Sequence, residues 1–100
     1  MGANMDTVSL IHLMAGDILR VKGASLPSAN DNASAIVKYN SDGTFNSAGY
    51  LWDGHTFGNM TFHNDANGIA VTCQANNYIR ISLPCADASA VIMTINQEIP

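Results

Sequence analysis

Positive charge is almost missing from this chain. Arg20, Lys22, Lys38 and Arg80 carry all of it, against seven aspartates and one glutamate, for a net charge of −4. Four scattered cations cannot neutralise a run of phosphates, which argues against nucleic-acid binding. Attraction to an anionic membrane fails on the same count. Charge of either sign is scarce, at 12% of residues, where roughly 25% is usual. No apolar run approaches the ~18 residues of a spanning helix. No basic stretch followed by an apolar one opens the sequence, so no signal peptide is expected. No repeat with a period of about 20–50 residues is visible.

Asparagine, serine, threonine and alanine take the place of charge, with 11, 8, 6 and 13 copies. Such a surface stays polar without long, mobile side chains, since lysine and glutamate lose the most rotamer freedom on ordering. It is a composition common in virion components and adhesins. At 47% apolar residues and low net charge, the chain can bury a core rather than stay disordered. Its length suits a single domain over 1–100, with residues 1–6 open to being a disordered or appended tail.

Short apolar runs alternate with turn signals every eight to twelve residues, the spacing of an all-β sandwich or barrel. Ile69, Val71 and Cys73 share one face of a strand. Ile79, Ile81 and Leu83 do the same in the next, with Tyr78, Arg80 and Ser82 facing out; a period of two marks half-buried strands. The short turn Ala75-Asn76-Asn77 between them predicts a hairpin. Ala90 to Ile95 reads as another strand. Ala35 to Tyr39 and Thr44 to Asn46 flank the hairpin loop Asn40-Ser41-Asp42-Gly43. Tyr50-Leu51-Trp52 and His55-Thr56-Phe57 flank Asp53-Gly54, a two-residue type I′ signal. Met60 and Phe62 share a face before the turn Asn64 to Gly68. Residues 7–21 fit two patterns. Val8, Ile11, Met14, Ile18 and Val21 have helical spacing, with Asp6 and Gly23 as caps. Gly16-Asp17 is turn chemistry, and Gly16 would cost a helix about 1 kcal/mol. Two strands, Val8 to Leu13 and Ile18 to Val21, are the preferred reading. The whole then has eight to ten short strands, a small antiparallel β-sandwich of jelly-roll type.

Cys73 and Cys85 are expected to be free thiols. With Cys73 beside the hairpin turn and Cys85 past the far end, about 20 Å of strand separates them, and a disulfide needs Cα atoms within about 7 Å. Cys73 should be a core residue. Cys85, after Pro84, is open to exposure. Reduced cysteines suit folding in a reducing cytosol.

Chemistry-bearing patterns are thin. His12, His55 and His63 have no metal-ligand spacing, although His55 and His63 could face each other near Asp53 or Asp65. Asn64 to Gly68 lacks the ligands of a calcium loop. No nucleophile elbow, acid–base pair or phosphate cradle is legible. No cofactor or metal is expected, and the protein is read as non-enzymatic. The most informative cluster is the stretch 50–57. Tyr50, Trp52, Asp53, His55 and Phe57 place the sole tryptophan and two more aromatics around a tight turn. Aromatics beside carboxylates and amides stack on sugars and anchor protein interfaces, so these five are the candidate binding residues.

The expected function is a structural or binding module of a virus or phage particle: a tail-fibre tip, receptor-binding knob or capsid decoration protein. A homo-oligomer, preferably a trimer, would bury the apolar excess of a short chain. A host-surface glycan or protein would be its ligand. The alternatives are a secreted lectin-like module and a small acidic inhibitor or immunity-type protein.

Overall fold

The computed structural model describes residues 3–7, 9–29 and 31–97; Val8, included in both readings of 7–21, lies outside them. Ten strands form two antiparallel sheets. They are β1 (Ala3–Asp6), β2 (Ile11–Leu13), β3 (Ile18–Lys22), β4 (Ala35–Tyr39), β5 (Phe45–Tyr50), β6 (Thr56–Phe57), β7 (Met60–Asp65), β8 (Gly68–Cys73), β9 (Asn77–Cys85) and β10 (Ile92–Ile95). Sheet A runs β1-β9-β4-β5, with β2 also paired to β9, and sheet B runs β10-β3-β8-β7-β6. The inner faces meet in one core of aliphatic side chains, Met60, Phe62 and Cys73. The protein is a small β-sandwich, as the alternation of apolar residues implies.

Ala3–Asp6, read from sequence as a tail, is β1, paired with Ser82–Cys85. The helical reading of 7–21 is wrong. Gly16 adopts φ +90°, which glycine accepts freely and a right-handed helix does not contain. The peptide Met14-Ala15-Gly16-Asp17 closes as a turn, with the Asp17 N–H donating to the Met14 carbonyl at 2.9 Å. Met14 N–H in turn donates to Asp17 Oδ2 at 2.8 Å.

Two hairpins are as expected. β4 and β5 pair across Asn40–Thr44, although β5 extends to Tyr50 rather than stopping at Asn46, and its register skips Asn46. β7 and β8 pair through Asp65↔Gly68. The hairpin expected between β8 and β9 does not form. β8 pairs with β3 and β7 in sheet B, while β9 pairs with β1, β2 and β4 in sheet A. The link between them arches from one sheet to the other. Asn77 holds the arch: its Nδ2 donates to the Ala75 carbonyl at 2.8 Å and to Cys73 Sγ at 3.1 Å. Cys73 and Cys85 form no disulfide, and both are buried. Cys73 is a core residue, as expected. Cys85 is buried too, at the end of a strand that runs on through Pro84 and pairs there with Ala3 and Ala24. The thiols stay apart for a different reason from the expected one. Cys73 sits against Asn77 at one end of β9, and Cys85 lies eight residues on, roughly 26 Å of strand away.

Where β1 gives way to β2, Thr7 patches the gap along β9. Its N–H donates to the Ile81 carbonyl at 3.0 Å. Ile81 N–H donates back to Thr7 Oγ1 at 3.0 Å. The hydroxyl thus replaces a backbone acceptor in a place too buried to leave a donor unpaired.

Gly68, at φ +116°, lies so close to β3 that an added Cβ would overlap the Val21 carbonyl oxygen, whereas Gly43, at φ +87°, has open space around it. Gly68→Ala therefore combines backbone strain with a clash and is expected to cost about 2–4 kcal/mol. Gly43→Ala carries the strain alone and is expected to cost about 1 kcal/mol. Urea unfolding followed by tryptophan fluorescence checks the ordering.

Candidate functional site

The segment 50–57 does not form the expected type I′ hairpin. Asp53 has negative φ and Gly54 has φ +86°, where a type I′ turn needs both positive. The turn closes with His55 N–H donating to the Trp52 carbonyl at 3.0 Å. Gly54 N–H then donates to the Phe62 carbonyl at 2.8 Å, and Phe62 N–H to the His55 carbonyl at 2.9 Å. Two residues thus stand opposite one, a glycine bulge. It turns the chain from sheet A, which ends at Tyr50, into sheet B, which β6 enters at Thr56.

The five candidate residues are accordingly divided. Trp52 and His55 stack on each other, ring centroids 3.6 Å apart at 24°, and both are half-buried. Phe57 lies over Gly49, with ring atoms 3.0 and 3.3 Å from where a Cβ would sit, and packs against the core. Tyr50 is 51% exposed and belongs to the outer face of sheet A. Asp53 is a structural residue. Its Oδ1 accepts from Asn64 N–H at 2.8 Å, and its own N–H donates to the Pro27 carbonyl at 3.0 Å. The Asn64 amide continues the seam. Leu26 N–H donates to its Oδ1 at 2.9 Å, and its Nδ2 donates to the Leu26 carbonyl at 3.0 Å. These bonds tie the turn and the long loop after β3 to β7. His63 lies exposed on β7, and the described residues contain no group of three or more His, Cys, Asp or Glu able to hold a metal ion.

A larger aromatic array lies elsewhere. On the outer face of sheet A the register aligns His12, Tyr78, Tyr39 and Phe45 in one row across four strands. His12 and Tyr78 stack at 4.2 Å and 11°, and Phe45 is 64% exposed. Two residues along, Arg80 pairs with Val37, and Val37 with Ala48. The next row is Asp6, Ser82, Ala35 and Tyr50. All three tyrosines of the chain stand on this one face. Between the rows lies an open depression of about 420 Å³, bordered by Asp6, Thr7, Tyr39 and Arg80 and floored by Ala35, Val37 and Ser82. Arg80 is aimed by its Nε, which donates to the Thr7 carbonyl at 3.1 Å. The period of two marked Tyr78, Arg80 and Ser82 as outward. The array stays hidden in the sequence because its members come from β1, β2, β4, β5 and β9, up to about 75 positions apart.

A third feature is the rim formed by β10 and β2. Met93 and Ile95 stand opposite Val21 and Leu19 on the inner side of sheet B, yet they are 40% and 41% exposed. With Ile11 and Leu19 they line an apolar depression of about 330 Å³. Leu10 and Met14, which flank β2, and Ile92 are exposed as well. The end of β10 is clamped by Asn96. Ile18 N–H donates to Asn96 Oδ1 at 2.8 Å, and Asn96 Nδ2 donates to Asp17 Oδ1 at 2.9 Å. Asn96 has φ 61°, a conformation asparagine tolerates better than most residues.

The Asn96 amide, followed by the Met14 N–H, holds the Asp17 carboxyl below its ordinary value of 3.8. A lowered folded-state value means that the clamp contributes stability above pH 3.8 and loses it as pH falls through the folded value. Acidification below about pH 4 is therefore expected to lower the protection of the Ile18 and Asn96 amides relative to their intrinsic exchange rates, and Asp17→Asn to remove most of that pH dependence; hydrogen exchange by NMR reads both. Asp53→Ala is expected to cost about 1 kcal/mol by orphaning the Asn64 N–H, seen as a lower urea midpoint with no ligand present.

Comparison of the chain with protein-family models, with curated proteins and with solved structures finds no match to any of them.

Proposed function

We propose that this protein is a non-enzymatic structural module that works as an assembly of its own copies, as a component of a virus or phage particle such as a fibre tip, knob or capsid decoration. One observation carries the reading: among the described residues, no charge, proline or covering segment guards the apolar sheet edge β10. Exposed edges invite pairing with other chains, and proteins blunt them with bulges, charges, prolines or brevity. The other edges of this sandwich follow that rule. β5 has a register slip at Asn46, β6 has two residues, and β1 and β2 are separate strands of four and three residues. β10 reads Ile-Met-Thr-Ile, with neither charge nor proline nor slip, beside a depression open to the core. A second copy of the chain is its occupant. The low charge of the chain favours this, since no charge on β10 repels the apolar rims of other copies, whose side chains can pack around one axis where strand-to-strand pairing would stop at two.

The remaining features agree with the reading. Rims of three copies converging on one axis would bury Met93, Ile95 and Met14 together, in keeping with a trimer. Two buried thiols outside any disulfide suit a particle built in a reducing cytosol and later carried outside the cell. Asp17, Asp42, Asp65 and Asp87 each accept from a group within three residues of their own position, so these carboxylates serve local turns.

Light scattering coupled to size exclusion is expected to give a mass near three times the 10.6 kDa of one chain. Met93→Lys, which places a charge on the rim, is expected to give monomers that keep the β-sheet circular dichroism of the parent. A parent that runs as a monomer at high concentration overturns the reading.

A further inference from the structure

We propose that the outer face of sheet A binds a neutral saccharide, seated in the depression between Asp6, Tyr39 and Arg80. Sugars offer two kinds of surface, C–H faces that lie against apolar or aromatic groups and a rim of hydroxyls that both donate and accept. The depression answers both. Its floor is the small, largely apolar set Ala35, Val37 and Ser82, and Tyr39 forms one wall. The Tyr78 ring, with one face against His12, turns its other face towards β4, where Tyr39 stands next in the row. A row of four rings across four strands extends over roughly 14 Å, room for a short oligosaccharide rather than one ring. Aromatic side chains provide such contact area with little loss of rotamer freedom.

The polar groups match hydroxyls better than a charged ligand. Arg80 is a donor without acceptor capacity, and its Nε–Thr7 bond leaves the terminal amino groups at the site. Asp6, exposed across from it, only accepts when ionised. The Ser82 hydroxyl does both. One cation and one anion leave the site with no net charge, so it neither attracts a phosphate nor rewards an acidic sugar. An extended peptide is a poorer fit, because this is a sheet face whose backbone groups are already paired to neighbouring strands. The site is built within one chain. It therefore stands or falls separately from assembly through β10.

The test uses the full chain on an array of neutral oligosaccharides built from glucose, galactose, mannose and N-acetylhexosamines, with their sialylated forms alongside. Binding to at least one neutral member is expected, with sialylation giving no gain. Titrating that oligosaccharide into ¹⁵N-labelled protein should shift the amides of Asp6, Val37, Tyr39, Arg80 and Ser82 and leave Trp52 and His55 unchanged. Arg80→Gln and Tyr39→Phe are each expected to weaken binding about tenfold or less, and Tyr39→Ala by more than tenfold. An unaltered urea midpoint shows that these variants fold; if Tyr39→Ala does not, Asp6→Asn, on the exposed edge, replaces it. The affinity per chain should be the same in Met93→Lys. The proposal is overturned by an array with no neutral binder, by binding confined to sialylated forms, or by shifts centred on Trp52.

Discussion

Everything in this sandwich leans on β9. It is the longest strand, and its alternation is complete: Asn77, Ile79, Ile81, Leu83 and Cys85 are buried, while the residues between them face out. Three inward aliphatic side chains, at about 1.5–3 kcal/mol each for full burial, fix which face meets sheet B. Both of its edges are occupied, β4 on one side and β1 with β2 on the other. A slip of one residue would turn Ile79, Ile81 and Leu83 to water and Tyr78 and Arg80 into the core. The constraint reaches the surface, because it also sets which residues share the outer rows.

Much of this was legible in the sequence. The period of two gave the correct inward set for β7, β8 and β9, and the turn chemistry around Gly16, Gly43 and Gly68 placed three reversals. Pairing was less legible. Periodicity belongs to one strand, and a short polar linker such as Gln74 to Asn76 can close a hairpin or arch between sheets. What decides here is the Asn77 side chain, which bonds back to Ala75 and Cys73 across the arch. Such a bond has no signature in composition.

The candidate site shows the same limit. Tyr50, Trp52, Asp53, His55 and Phe57 are neighbours in the chain, and a glycine bulge at Gly54 sends them to different places. Asp53 is taken up by Asn64, Phe57 by Gly49, and Trp52 and His55 by each other. The outer face of sheet A gathers its rings from four strands, through registers no single stretch contains. Tyr50 belongs to both sets. It is the one point where local sequence and assembled surface agree.

The pairing of β9 also has a consequence in time. Ala3 meets Cys85, Ile11 meets Ile79 and Tyr39 meets Tyr78, so β9 is joined to its neighbours in sheet A through partners about 39 to 82 positions apart. Contacts that distant carry a large loop-closure cost before any burial offsets it, and they slow folding. On the ribosome, β1, β2 and β4 emerge well before the strand that joins them. Sheet B can begin as the local β7–β8 hairpin, while half of the core waits for residues 77–85. A nascent chain in that state holds Ile11, Leu13 and Ile36 open to water, and a scarcity of charge gives it little electrostatic protection against its neighbours. The same composition that lets finished copies approach one another makes the unfinished chain dependent on the prompt arrival of its ninth strand.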